Sequence, residues 1–217
     1  MGTPEPPRQF GLFPEPGGER PIAAFDFDGT LTTHDSFTAF LRWKAGPWDY
    51  LTGLAKLLPH LFAYGLDRDR GRLKAAAVAG FLAGMTPESL AAAAESFADR
   101  FAPRMLRPDA LQTWRDWQAK GARAVIVTAS PEIIVRPFAE RLGADALIGT
   151  RLALDAQGRV AGALEGPNCR GPEKVARLKQ AFGERLPLAA AYGDTAGDRE
   201  MLAIAGVKGY RVFRERP

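Results

Sequence analysis

Asp26 and Asp28 lie one residue apart in "FDFDGT", after an apolar run and directly before a glycine-threonine turn. On a strand, side chains two residues apart share a face, so both carboxylates are expected to enter one pocket. Close carboxylates repel, and keeping two together takes a cation or a shared proton. A second acidic cluster, "YGDTAGD", carries Asp194 and Asp198 four residues apart where another apolar run gives way to a helix. Three or four carboxylates gathered at strand ends suit a hard cation such as magnesium, which prefers oxygen ligands. A calcium loop starting at Asp26 fails, because its sixth position is Leu31 rather than glycine and its twelfth Phe37 rather than glutamate.

Positioning these residues falls to three apolar runs, "PIAAFDFDG" (21–29), "ARAVIVTAS" (122–130) and "PLAAAYGDT" (187–195). Strands apolar nearly throughout belong in a parallel sheet covered by helices on both faces. Ligands of such sheets collect at the carboxyl ends of the strands. Asp26, Asp28, Thr128 and Asp194 end the runs, so they are expected to converge from distant parts of the chain. The fold class expected is α/β, a Rossmann-like three-layer parallel sheet with an inserted helical cap.

About ninety residues separate the first two runs, with almost no strand signal and much helical composition. That is too long for an ordinary loop. The sequence divides into a flexible arm over residues 1–20, a core over 21–35 and 109–217, and a helical cap over 36–108. Thr86 and Pro87 read as the N-cap and first residue of a helix, and Gly143 as the C-cap of "PEIIVRPFAERLG". "DALIGTRLALDAQGRVAGALEG" alternates around "DAQGR" as a hairpin does. Trp114 and Trp117 fit a helix packed on the sheet.

Composition limits the classes of function. The 217 residues are 46% hydrophobic and 25% charged, which excludes disorder across the whole chain. Cys169 is the only cysteine, so no intramolecular disulfide forms, and a cytoplasmic location is expected. The net charge of +4 suits an anionic partner, but the arginines are scattered and no basic run occurs, so no nucleic-acid partner is expected.

Four motifs, "DFDGT", "VIVTAS", the lysine of "GPEKV" and "GDTAGD", resemble the ordered signatures of the haloacid dehalogenase (HAD) superfamily. The insert, the hairpin and "NCRGPEKVARL" resemble its phosphoserine phosphatase-like branch (subfamily IB). The resemblance implies a phosphatase of small phosphorylated substrates in which Asp26 attacks phosphorus and forms an aspartyl-phosphate. Asp28 would protonate the leaving oxygen and then activate water. Asp26, the backbone carbonyl of Asp28 and Asp194 would hold Mg2+, with Asp198 a ligand or just behind one. Thr128 would supply a hydroxyl and Lys174 the cation on the phosphate, with Arg170 competing for that role. Gly29, Thr30, Asp35, Ala129, Ser130 and Glu132 would contact substrate, with Thr30 hydrogen-bonding the turn. A phosphotransferase would use the same residues, and a catalytically idle binding module is the reading from another class.

In "FLRWKAGPWDYLTGLAKLLPHLFAYGL" (40–66), Leu51, Leu54, Ala55, Leu58, Leu61 and Phe62 fall on one helical stripe, with a kink expected at Pro59. One reading buries the stripe in the cap. The other lays the helix on an anionic membrane, with Arg42, Trp43, Lys44 and Trp48 at headgroup level. The layout resembles the phosphatidylglycerophosphatase C family of lipid phosphatases.

Overall fold

The structure, a computed structural model, describes residues 20–67 and 69–217. Its centre is a six-stranded sheet, β1 (Ile22–Phe25), β2 (Arg123–Pro131), β3 (Ala146–Leu154), β4 (Val160–Glu165), β5 (Leu188–Gly193) and β6 (Val207–Tyr210), in the order β4-β3-β2-β1-β5-β6. Every pairing is parallel except β3 with β4, the expected hairpin at one edge.

β1 holds four buried residues, as a strand covered on both faces must. Alternate residues feed two apolar layers. Ala23, Phe25, Ala124, Ile126 and Tyr192 enter one cluster, and Ile22, Ala24, Val125, Val127 and Ala191 enter the other. β1 lies between β2, which the chain reaches from it through residues 36–119 on one side, and β5, which it reaches from β4 through residues 172–182 on the other. The ends of β1, β2 and β5 therefore border the crevice where such sheets bind ligands.

On the first face lie α1 (Ser36–Asp67), α2 (Arg70–Phe81), α3 (Pro87–Met105), α4 (Pro108–Ala119) and α5 (Glu132–Arg141). The other face is covered by α6 (Pro172–Phe182) and the short α7 (Arg199–Ala203). Trp114 of α4 is buried against Phe25, ring centroids 5.0 Å apart, and its indole N–H donates to the Leu142 carbonyl. The Thr86 hydroxyl accepts from the Ser89 N–H, capping α3. Gly143 follows α5 in the left-handed region, at φ +61°.

The insertion between β1 and β2 has no apolar cluster of its own among the described residues. Phe40, Leu57, Val78 and Phe97 join the same cluster as Phe25 and Ile126. The break in α1 falls at Gly46 (φ +74°), not at Pro59, and the chain stays helical past Pro59. Gly46 precedes Pro47, where helical backbone is disfavoured, and glycine tolerates the left-handed turn that results. Pro47 then opens the second segment, where its missing N–H costs nothing. The expected arm lies outside the described residues, apart from Arg20.

Candidate active site

Asp26 leaves the end of β1 with 6% of its surface exposed. Lys174 of α6 reaches it through the sheet's other layer. The buried ammonium donates to Asp26 Oδ1 at 2.6 Å, Asp198 Oδ1 at 2.7 Å and the Val127 carbonyl at 2.6 Å. All three donors are spent, on partners from the ends of β1 and β2 and the loop after β5. Burial works against that cation, but the charges of Asp26 and Asp198 outweigh it and hold Lys174 above the usual lysine range. Burial pushes the Asp26 carboxyl up to about 7, with Lys174 opposing.

Asp28 is fixed from two sides. Its Oδ1 accepts the Ser36 N–H at 2.6 Å, at the start of α1, and its Oδ2 accepts the Ser130 hydroxyl at 2.5 Å. Burial, reinforced by the charge of Asp35, pushes its carboxyl up to about 6. It can therefore give and take a proton near neutrality. Asp35 caps α1 by accepting the Thr38 N–H.

The loop after β5 is closed by Asp198. Its Oδ2 accepts the Thr195 N–H and hydroxyl at 2.9 and 3.0 Å, while its Oδ1 faces Lys174. Burial would raise its carboxyl, but Lys174 holds it below the usual range. Asp194 differs: its Oδ1 is buried with no hydrogen-bond partner among the described residues. Burial, then the charge of Asp198, raises its carboxyl.

One oxygen from each of Asp26, Asp194 and Asp198 lies within 4.8 Å of the others. The orphaned oxygen of Asp194 fits a hard cation, whereas Asp198 already spends both oxygens on donors. This favours Asp26 and Asp194 as ligands with Asp198 behind them. Gly29, at φ +81°, lets the turn after β1 pass this group: a Cβ there would stand 2.4 Å from Asp194 Oδ2.

These carboxylates floor a cavity of about 600 Å3 whose opposite wall comes from α1 and α2. Asp26, Asp28, Gly29, Asp35, Ala129, Ser130, Lys174, Asp194 and Asp198 all line it. Arg170 lines it too, its guanidinium donating to the Thr195 hydroxyl at 3.3 Å, but the contact to Asp26 is made by Lys174.

Three expected residues stand elsewhere. Thr128 is fully buried, its hydroxyl accepting the Ser130 N–H at 3.0 Å. The Thr30 hydroxyl is buried without a hydrogen-bond partner among the described residues, so it does not bond the turn. Glu132 turns away to accept the Gly149 N–H at 2.8 Å and to face Arg151 at 3.6 Å. As the first residue of α5 its side chain follows the helix, not the strand end. Burial also pushes the Cys169 thiol up to about 11, so it is no thiolate nucleophile.

The sequence reading missed Lys74 of α2, which crosses the cavity to donate to the Ala129 carbonyl. Its signal was a single cation inside the apolar run "LKAAAVAG". Also missed was the apolar wall of Leu41, Tyr50, Leu54, Leu57 and Phe81, which depends on how α1 and α2 pair.

Comparison with known proteins bears on this arrangement. Haloacid dehalogenase-like hydrolases as a family match residues 23–203. Protein CicA of Caulobacter vibrioides is 59% identical over 204 residues, spanning 94% of this chain and 91% of CicA. A histidinol-phosphatase of Neisseria meningitidis serogroup C is 27% identical over 180 residues, 80% of this chain and 79% of that one. Among solved structures, a Bordetella pertussis Tohama I protein of unknown function superposes with a TM-score of 0.73 at 25% identity, covering 86% of this chain and 87% of its own. A substrate-bound phosphoserine phosphatase shares the fold, with a TM-score of 0.61 at 20% identity over 89% of this chain and 87% of its own. A family match over that span, and a relative sharing most of its residues along nearly the whole chain, make this protein a member of the haloacid dehalogenase-like hydrolase family.

Proposed function

We propose that the protein is a magnesium-dependent phosphomonoester hydrolase working through an aspartyl-phosphate on Asp26, with residues 36–108 as its cap. The observation that carries this reading is the pairing of roles two residues apart. Asp26 is clamped by a buried lysine, and Asp28, oriented by Ser36 and Ser130, has its carboxyl pushed up to about 6 by burial.

Asp26, ionised beside Lys174, attacks phosphorus in line with the leaving oxygen. Asp28, standing on the cavity side, gives its proton to that oxygen and then takes one from the water that cleaves the acyl-phosphate. Mg2+ held by Asp26 and Asp194 would neutralise charge on the phosphoryl oxygens and keep Asp26 ionised against its burial. Lys174 holds Asp26 at a fixed rotamer, and the walls of α1 and α2 exclude water from the alcohol side.

The substrate class this supports is a small phosphorylated metabolite or a phospholipid headgroup. Phosphate release should appear from members of a panel of phosphoserine, phosphocholine, sugar phosphates, nucleotides and phosphatidylglycerophosphate. It should vanish in EDTA and return with added magnesium. Undiminished turnover in EDTA would contradict the role given to the carboxylates.

A second reading, a lipid phosphatase in peripheral contact with membrane, is favoured by the outer face of α1. Trp48, Leu51, Leu58 and Phe62 are 57 to 79% exposed at helical spacing, while Leu57 is buried on the opposite side. Arg42, Lys44 and Lys56 are exposed on the same helix and would complement an anionic surface. No described helix is long and apolar enough to cross a membrane, so such contact would be interfacial. The protein should sediment with phosphatidylglycerol vesicles at low salt, and Leu58→Glu with Phe62→Glu should abolish it. Failure of the unsubstituted protein to sediment would leave the soluble-metabolite reading.

A further inference from the structure

Lys74 is a cation of the cavity that the chemistry above does not use. It sits on α2 beside Leu73 and Ala75, partly buried, and its ammonium stands 5.7 Å from the centroid of the buried Phe37 ring. Its hydrogen bond goes to the Ala129 carbonyl, which already accepts the Thr150 hydroxyl at 2.7 Å. That carbonyl does not need the lysine to be satisfied.

An ammonium has three donors, and among the described residues Lys74 spends one. No carboxylate of the described residues lies within ion-pairing distance of it. The nearby acids are engaged elsewhere: Asp28 with Ser36 and Ser130, Asp35 with Thr38. Burial lowers the lysine's proton affinity, with Asp28, Asp35 and Asp26 opposing, so keeping a cation here is costly. A group that completes its hydrogen bonds would recover that cost.

We propose that Lys74 binds a second anionic group, a carboxylate or a further phosphate, on the alcohol part of the phosphate monoester. The inference rests on the phosphomonoesterase reading, which fixes where the alcohol lies. With phosphorus against Asp26 and the leaving oxygen toward Asp28, the alcohol extends toward α2, where Arg70 lines the same wall as Lys74. A lysine that held the transferred phosphate itself would act on all esters alike. One that only latched α2 to Ala129 would change stability without discriminating among substrates.

Esters differing in that one charge separate these roles: glycerol phosphate, its counterpart phosphoglycerate for the carboxylate, and glycerol bisphosphate for the second phosphate. The intact protein should favour one charged ester over glycerol phosphate by about tenfold to a hundredfold in kcat/KM, the range of a charge-assisted hydrogen bond. Whichever is favoured names the source of the charge. Lys74→Gln should collapse the ratio toward one through KM, and Lys74→Arg should restore part of it. A parallel fall on charged and neutral esters, or no preference in the intact protein, would overturn the assignment.

Calorimetric binding to Asp26→Asn protein, with and without Lys74→Gln, reads the same contrast without turnover. Tighter binding of a charged ester that disappears with Lys74→Gln supports the subsite, and equal binding of all three esters overturns it. A binding contrast without phosphate release from any ester would count against the hydrolase reading and leave Lys74 assigned.

Discussion

Asp26→Asn should remove phosphate release by roughly ten-thousandfold or more while leaving the protein folded. The amide keeps the shape of the side chain and an oxygen for Lys174, but it is no nucleophile. Of the three hydrogen bonds of the Lys174 ammonium, those to Asp198 and Val127 are untouched, and the cation keeps a carboxylate partner. Thermal unfolding should therefore stay close to that of the unsubstituted protein. Steady-state phosphate release and a melting curve on the same preparation check both halves. Residual turnover within about a hundredfold of normal would assign the attack to another group.

Lys174→Met should have the largest effect on stability. It keeps most of the volume but removes the donor from Asp26, Asp198 and the Val127 carbonyl, all at the floor of the cavity. Two carboxylates that now share an ammonium would face each other in a site where both are nearly inaccessible. Breaking a buried ion pair from one side costs about 3–5 kcal/mol. For a chain of this size that lowers Tm by on the order of 10 °C. Activity should be lost as well, because Asp26 would be protonated or misplaced. A Tm within about 2 °C of the unsubstituted value would mean that the lysine is not the keystone its geometry implies.

Sheet and floor were legible in the sequence because both rest on short-range rules. Apolar runs without alternation mark strands buried on two faces, and Asp26, Asp28 and Asp194 end two of them, so parallel pairing alone gathers them. β6, only four residues long with three of them exposed, carried too little signal to stand out. Lys174 against Arg170 was not decidable from spacing, because both flank the turn into α6. The fold places them differently: Gly171 starts the helix so that Lys174 points under β1 and β2 to Asp26, while Arg170 lines the cavity from the loop against Gly197.

Tertiary pairing hid the rest. The stripe on α1 looked like one face, yet among the described residues Leu54 and its neighbour Leu57 turn inward while Leu51, Leu58 and Phe62 turn outward, the Leu61 side chain lying outside the described residues. The helix is apolar over a wider arc than one contact can bury, and which part stays exposed depends on where α2 docks. Glu132 was expected to contact substrate, but it opens α5 and its carboxylate accepts the Gly149 N–H instead. Lys74 could be found only once α2 was seen to stand across from β2.

The measurement closest to the central claim is peptide mapping by mass spectrometry of protein quenched in acid during turnover of a substrate identified on the panel. The account predicts a phosphoryl group on the peptide containing Asp26, absent from Asp26→Asn and from protein quenched before substrate is added. A phosphoryl group on another residue, or an unmodified Asp26 peptide while phosphate is being released and the intermediate is expected to accumulate, would contradict it.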